Sequence, residues 1–116
     1  MVRIKRIYEK ADAKDGWRVL VDRLWPRGMK KEAAKIDLWM KEVAPSDALR
    51  KFFHHDAMKW PDFEKKYRAE LTKKKDWIAE LKELEEEHGT LTLLFGARDP
   101  EHNQAVVLAE ALRKAS

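Results

Sequence analysis

The sequence predicts an α/β fold, a small mixed sheet with two central parallel strands, covered by helices. Two apolar runs, Val19-Leu20-Val21 and Leu91-Thr92-Leu93-Leu94-Phe95, read as strands buried on both faces, which favours central positions. Between them lies a long stretch with helical spacing. A helical crossover of that length is right-handed and sets the two strands parallel.

The elements follow in order. Val2, Ile4 and Ile7 mark a first strand that ends near Tyr8. Residues 12–16 close with Asp15-Gly16, which is turn chemistry, and a link this short points to an antiparallel neighbour. The second strand covers 17–22 and stops at Pro26 and Gly28. Residues 29–35 form a short, lysine-rich helical link. Residues 36–43 fit either a short strand or a helix, and the spacing of Leu38, Trp39 and Val43 tips the reading to helix. Ser46 caps a helix over 47–53, with Asp47 in its first turn.

His54-His55-Asp56 is a loop, and Trp60-Pro61-Asp62 starts the next helix with Pro61 near its first position. Phe63, Tyr67, Leu71, Ile78 and Leu81 keep helical spacing towards Glu87, with a break into two helices at Lys73-Lys74-Lys75 and a stop at Gly89. The third strand is 90–95. Asp99 is the expected cap and Pro100 the first residue of a last helix, whose buried stripe is Ala105, Leu108, Ala109 and Leu112.

A chain of 116 residues makes one domain, 1–116. No apolar run approaches the ~20 residues of a membrane span, and the first residues lack the apolar core of a secretory signal. Cytoplasmic residence is the expectation. The absence of cysteine excludes disulfides, thiolate metal sites and cysteine nucleophiles. The net charge of +4 leans towards anionic partners: a small anionic molecule first, nucleic acid as the alternative, and no membrane. Charge this dense (40% of residues) equally suits a surface built from ion-pair networks.

In open α/β sheets, ligands bind beyond the carboxyl ends of the strands. Two parallel central strands would bring Arg23, Trp25 and Arg27 towards Gly96, Arg98, Asp99 and the start of the last helix. Arginine offers a fork of donors matched to phosphate or carboxylate, a helix start favours an anion, and Trp25 suits stacking on a base or sugar. Asn103 would complete the pocket, and His54, His55 or His102 would serve any proton transfer. Each residue also has a structural reading: the arginines pairing with Asp22 or helix carboxylates, Trp25 as a lid over the core, Asp99 as a cap, Asn103 bonded to a nearby loop. Adjacent histidines in a loop do not readily share one metal, so no metal site is expected, nor any cofactor. There is no Walker-type loop, dinucleotide fingerprint, nucleophile elbow or zinc-protease motif.

Val21-Asp22-Arg23-Leu24-Trp25-Pro26-Arg27-Gly28, Ala44-Pro45-Ser46 with Leu49-Arg50, and Leu93-Leu94-Phe95 through Ala97-Arg98-Asp99 to Asn103 and Ala105 resemble the YeaO-like family, a prokaryotic DUF488 set. The resemblance spans nearly the whole chain. Trp39, Phe53, Phe63, Tyr67, Glu70 and Leu71 also fall where that family places similar residues. It implies a single cytoplasmic α/β domain with the arginine-tryptophan segment as its signature, and it implies no particular reaction. His54-His55 stands where the family mixes histidine with glycine, and Arg98 where lysine is common, which counts against His54 or His55 as a general base. The expected function is binding of a phosphorylated or nucleotide-like anion at the strand ends, with acid–base catalysis as an added step.

Overall fold

The computed structural model describes residues 1–115. Four strands, β1 (Val2–Arg6), β2 (Trp17–Leu20), β3 (Leu38–Trp39) and β4 (Leu91–Phe95), form one sheet in the order β1-β4-β2-β3. Five helices complete the chain: α1 (Lys31–Ala34), α2 (Asp47–Phe53), α3 (Trp60–Leu71), α4 (Lys75–His88) and α5 (Gln104–Lys114). The α/β class holds, and β4 and β2 are the central parallel pair, in register from Trp17↔Leu91 to Leu20↔Leu94.

The pairing of the first two strands differs from expectation. β1 and β2 do not touch as an antiparallel hairpin; β4 lies between them and pairs parallel with both, so the whole sheet is parallel. The link between β1 and β2 spans that gap with a turn after β1, where the Glu9 amide donates to Arg6 O at 3.0 Å, and a 3-10 turn at Ala13–Asp15. Asp12 caps the turn, accepting from the Lys14 amide at 2.8 Å. Gly16 follows with φ +64°, and a Cβ there would lie 2.2 Å from the Thr90 carbonyl oxygen, so only glycine permits this approach of the link to β4.

Alternation along the central strands divides the core in two. Val19, Val21, Leu91, Leu93 and Phe95 face the large cluster, with Leu49, Phe53, Phe63, Tyr67, Leu81, Leu108 and Leu112. Leu20 and Leu94 face a smaller cluster with Ile7 and Ala34, covered by Trp25, Met29, Ile36 and Trp39. Val19, Leu20 and Val21 are fully buried, each worth about 1.5–3 kcal/mol of transfer free energy.

Residues 36–43 are a correction. Leu38 and Trp39 add an edge strand to β2, and Lys41–Val43 is a 3-10 turn, so no helix forms there. Cross-strand hydrogen bonds decide it: the Asp37 amide donates to Arg18 O and the Met40 amide to Leu20 O. Ser46 caps α2 as expected, accepting from the Leu49 amide at 3.2 Å. Glu70 accepts from both the Ser46 amide and its hydroxyl, and the buried Tyr67 hydroxyl donates to Val43 O at 2.5 Å, clamping α3 to the start of α2. The break at Lys73–Lys75 and the stop at Gly89 (φ +79°) fall where the sequence puts them.

The last helix starts later than predicted. Its cap is Asn103, whose side-chain oxygen accepts from the Val106 amide at 3.3 Å. Asp99 instead closes a turn of its own, accepting from the Glu101 and His102 amides. Aspartate before proline and asparagine before glutamine are both good starts; Asn103 prevails because it is buried and also donates to Asp99 O at 2.9 Å, holding the preceding turn against the helix. No helix among the described residues is long and apolar enough to cross a membrane.

Candidate functional site

Beyond the carboxyl ends of β2 and β4 the chain leaves a cleft of about 350 Å³. The register that pairs Leu20 with Leu94 carries on past the strands, so Asp22 meets Gly96. The Gly96 amide donates to Asp22 Oδ2 at 2.9 Å, and the Gln104 side-chain amide, at the first residue of α5, donates to Asp22 Oδ1. Three elements therefore meet on one carboxylate. Gly96 leaves room for this contact: a Cβ would lie 2.9 Å from that same oxygen and push the carboxylate aside. Burial pushes the Asp22 carboxyl up from 3.8 to about 6, against the lowering effect of the two donors.

Arg23, Arg27, Arg50 and Lys51 line the same cleft, with Phe53 and Phe63 among the apolar lining. Arg23 reaches it half-committed. Its Nε donates to Pro45 O at 3.0 Å and lies 3.7 Å from Asp47 in the first turn of α2, which is the helix-carboxylate pairing weighed from the sequence. Arg50 also contacts Asp47, at 3.4 Å. Arg27 and Lys51 are exposed, and among the described residues neither has a carboxylate within 4.0 Å. Arg27 is positioned through its backbone, since the Tyr8 hydroxyl donates to Arg27 O at 2.6 Å.

A second cavity adjoins the first and is lined by Arg6, Arg27, Arg98, Asp99 and His102, among others. Arg27 lines both cavities, whereas Arg23 and Arg98 line different ones. The three arginines are thus spread along a double cleft with Arg27 at its middle, rather than gathered on one point.

The remaining predicted residues divide. Trp25 lines the first cleft, yet its indole N–H donates to Met29 O at 2.6 Å and its ring packs edge-on against Trp39, as a cover over the smaller core. Asn103 is buried and spends its side chain on the Val106 amide and Asp99 O. His54, His55 and His102 all line the first cleft. His54 and His55 both have left-handed backbone, at φ +44° and +57°, where α2 turns out into the loop. His102 is the most constrained of the three. Its Nδ1 lies 2.8 Å from Asp99 Oδ2, and its ring stands edge-on to Trp60 at 5.2 Å. A carboxylate on Nδ1 fixes the orientation of the imidazole ring. The turn before α5 and the His102 contact hold Asp99 below the usual carboxylate range.

Asp22 and Gln104 are the site residues that motif reading passed over. In the sequence Asp22 reads only as a partner for the arginines. The signal lay in aligning the two parallel strands, which sets Val21-Asp22 beside Phe95-Gly96.

Known proteins place the chain among relatives of the same length. It is 42% identical over 112 residues to "Uncharacterized protein YeaO" of Escherichia coli K12, covering 97% of this chain and 96% of that protein. It is 39% identical over 111 residues to "Uncharacterized protein Rv3073c" of Mycobacterium tuberculosis H37Rv, covering 96% and 92%. No solved structure matches it. The family model described as "Inactive DUF488-N3 subclade" matches residues 1–116, and with the likeness to YeaO it shows that the chain belongs to the YeaO-like DUF488 family.

Proposed function

We propose that the chain binds a small anionic ligand, phosphorylated or nucleotide-like, in the cleft beyond β2 and β4. The observation that carries this reading is the gathering of Arg23, Arg27, Arg50 and Lys51 over one cleft, with Arg27 and Lys51 free of carboxylate partners among the described residues. Asp22 refines the ligand. A carboxylate lining the same cleft as these cations suits a molecule with an anionic end and hydroxyl or amino donors at the other, as phosphorylated sugars and nucleotides have. Phe53 and Phe63 offer apolar surface between those ends.

The family description "Inactive" favours binding without turnover. His102, oriented by Asp99, then lines the cleft as a hydrogen-bonding group rather than as a catalyst.

Titration calorimetry with inorganic phosphate, adenosine monophosphate and adenosine tests the reading. The two phosphate-bearing probes should bind and adenosine should not. Arg27→Gln should weaken binding roughly tenfold, the cost of a charge-assisted contact. Absence of binding by both phosphate probes, or affinity untouched by Arg27→Gln, defeats it. A single-stranded oligonucleotide titrated at rising salt tests the alternative, in which the same cations hold backbone phosphates and affinity falls steeply with salt.

A further inference from the structure

Apart from Asp76 in its first turn and His88 in its last, helix α4 carries the charges near its ends against its own dipole. Lys73, Lys74 and Lys75 stand at its start, and Glu83, Glu85, Glu86 and Glu87 crowd its end. The N-terminus of a helix is the positive end of its dipole and the C-terminus the negative, so both groups sit where the helix repels them. Internal contacts relieve part of this. Glu85 takes the Met1 ammonium at 2.8 Å and Lys82 at 3.1 Å, and Lys74 Nζ donates to Ala44 O. Among the described residues Lys75, Glu83 and Glu86 have no opposite charge within 4.0 Å.

Those three lie with Ile78, Ala79 and Lys82 on one stripe of the helix, at spacings of three and four. The stripe borders a groove of about 610 Å³ against the ends of α3 and α5, whose apolar lining includes Leu71, Ile78 and Ala111. No residue lines both this groove and the ligand cleft.

We propose that a second copy of this chain docks here, its α4 antiparallel to the first across a two-fold axis at mid-helix. Self-complementarity selects that occupant, because the stripe holds both halves of its own charge pattern. Lys75 and Glu86 are separated by about 16 Å along the helix, at 1.5 Å per residue. Reversing the helix about its middle sets Lys75 of each copy opposite Glu86 of the other. The same operation sets Ile78 opposite Glu83 and Ala79 opposite Lys82, where the side-chain stems supply the apolar contact, and the two dipoles run antiparallel.

Sedimentation velocity at micromolar concentration tests this on the full chain. The wild type should be a dimer whose dissociation constant rises with salt. Lys75→Glu alone and Glu86→Lys alone should each raise that constant roughly tenfold or more, since each sets like charges together at both symmetry-related contacts. An equimolar mixture of the two variants should restore the dimer, because each then complements the other at both contacts. Both positions are exposed, and circular dichroism is the check that the variants fold. A monomer at every concentration overturns the proposal. So does a dimer indifferent to salt or to both substitutions, and so does a mixture that stays monomeric.

Discussion

The Asp22 carboxylate accepts the Gly96 amide hydrogen at 2.9 Å, tying together the ends of two neighbouring parallel strands. The bond sits in a cleft among cations, and it holds a carboxyl raised to about 6 by burial. The folded state therefore binds this proton more tightly than the unfolded chain does. Stability from the protonated group is full below 3.8 and is lost as pH rises through about 6. The difference corresponds to roughly 3 kcal/mol at most. Asp22→Asn should raise the thermal midpoint at pH 7.5 and leave little difference from wild type at pH 4, as calorimetric scans of the two proteins will register.

The same ionisation should govern the ligand. Phosphate affinity should rise as pH falls from 7.5 to 5.5 and Asp22 loses its negative charge. Asp22→Asn should bind phosphate more tightly at pH 7.5 and show a flatter pH profile. A parallel profile in the variant would assign the dependence to a group other than Asp22, the phosphate probe included.

A second carboxylate behaves in the opposite sense. Asp15 is buried beneath β2, and Arg18 donates to its Oδ2 at 2.5 Å while Lys5 bonds both oxygens. Burial raises its carboxyl, but the Asp12 amide, Lys5 and Arg18 outweigh that and hold it below the usual range. Its contribution is present above the unfolded value of 3.8 and is lost as pH falls through the folded one. Asp15→Asn leaves the Arg18 guanidinium buried without its counter-charge and should cost about 3–5 kcal/mol, measured by urea unfolding.

Gly16→Ala should be among the most damaging single changes. Its φ of +64° resists a side chain, and the new Cβ would lie 2.2 Å from the Thr90 carbonyl. Relief requires moving the link away from β4, so a loss of roughly 3 kcal/mol is expected from urea unfolding.

Asn103→Ala should cost about 1–2 kcal/mol of stability, because the α5 cap and the bond to Asp99 O vanish together. Asp99→Ala leaves the cap in place and should cost less. A reversed order in urea midpoints would return the helix start to Asp99.

Local signals in the sequence proved dependable where one residue type has one physical use. Ser46 before an amphipathic turn, the lysine run that divides α3 from α4, and Gly89 after a helical stripe all stand where they were read. The unbroken apolar character of Val19-Leu20-Val21 revealed a central strand, because only two covered faces tolerate it. Relations between distant segments were harder. A link as short as 7–16 normally joins antiparallel neighbours, and nothing local to it reports that β4 will enter the gap. Leu38-Trp39 is too short for periodicity to register, and only its pairing with Val19 and Leu20 makes it a strand. At the site, the charged motif drew attention to Arg23 and Trp25, whose hydrogen bonds serve the fold. The half-buried Asp22 beside them needed a register that no single segment contains.

The central position of β4 has a consequence for biosynthesis. It is the last strand made, and β1 pairs with nothing else. A ribosome-bound chain therefore leaves β1 unpaired, and β2 paired on its β3 edge alone, until residue 95 has left the exit tunnel, and completes its sheet only then. Fragments released before that point carry exposed strand edges with no native partner and are natural clients for chaperones or proteases. For this protein, incomplete synthesis and misfolding are nearly the same thing.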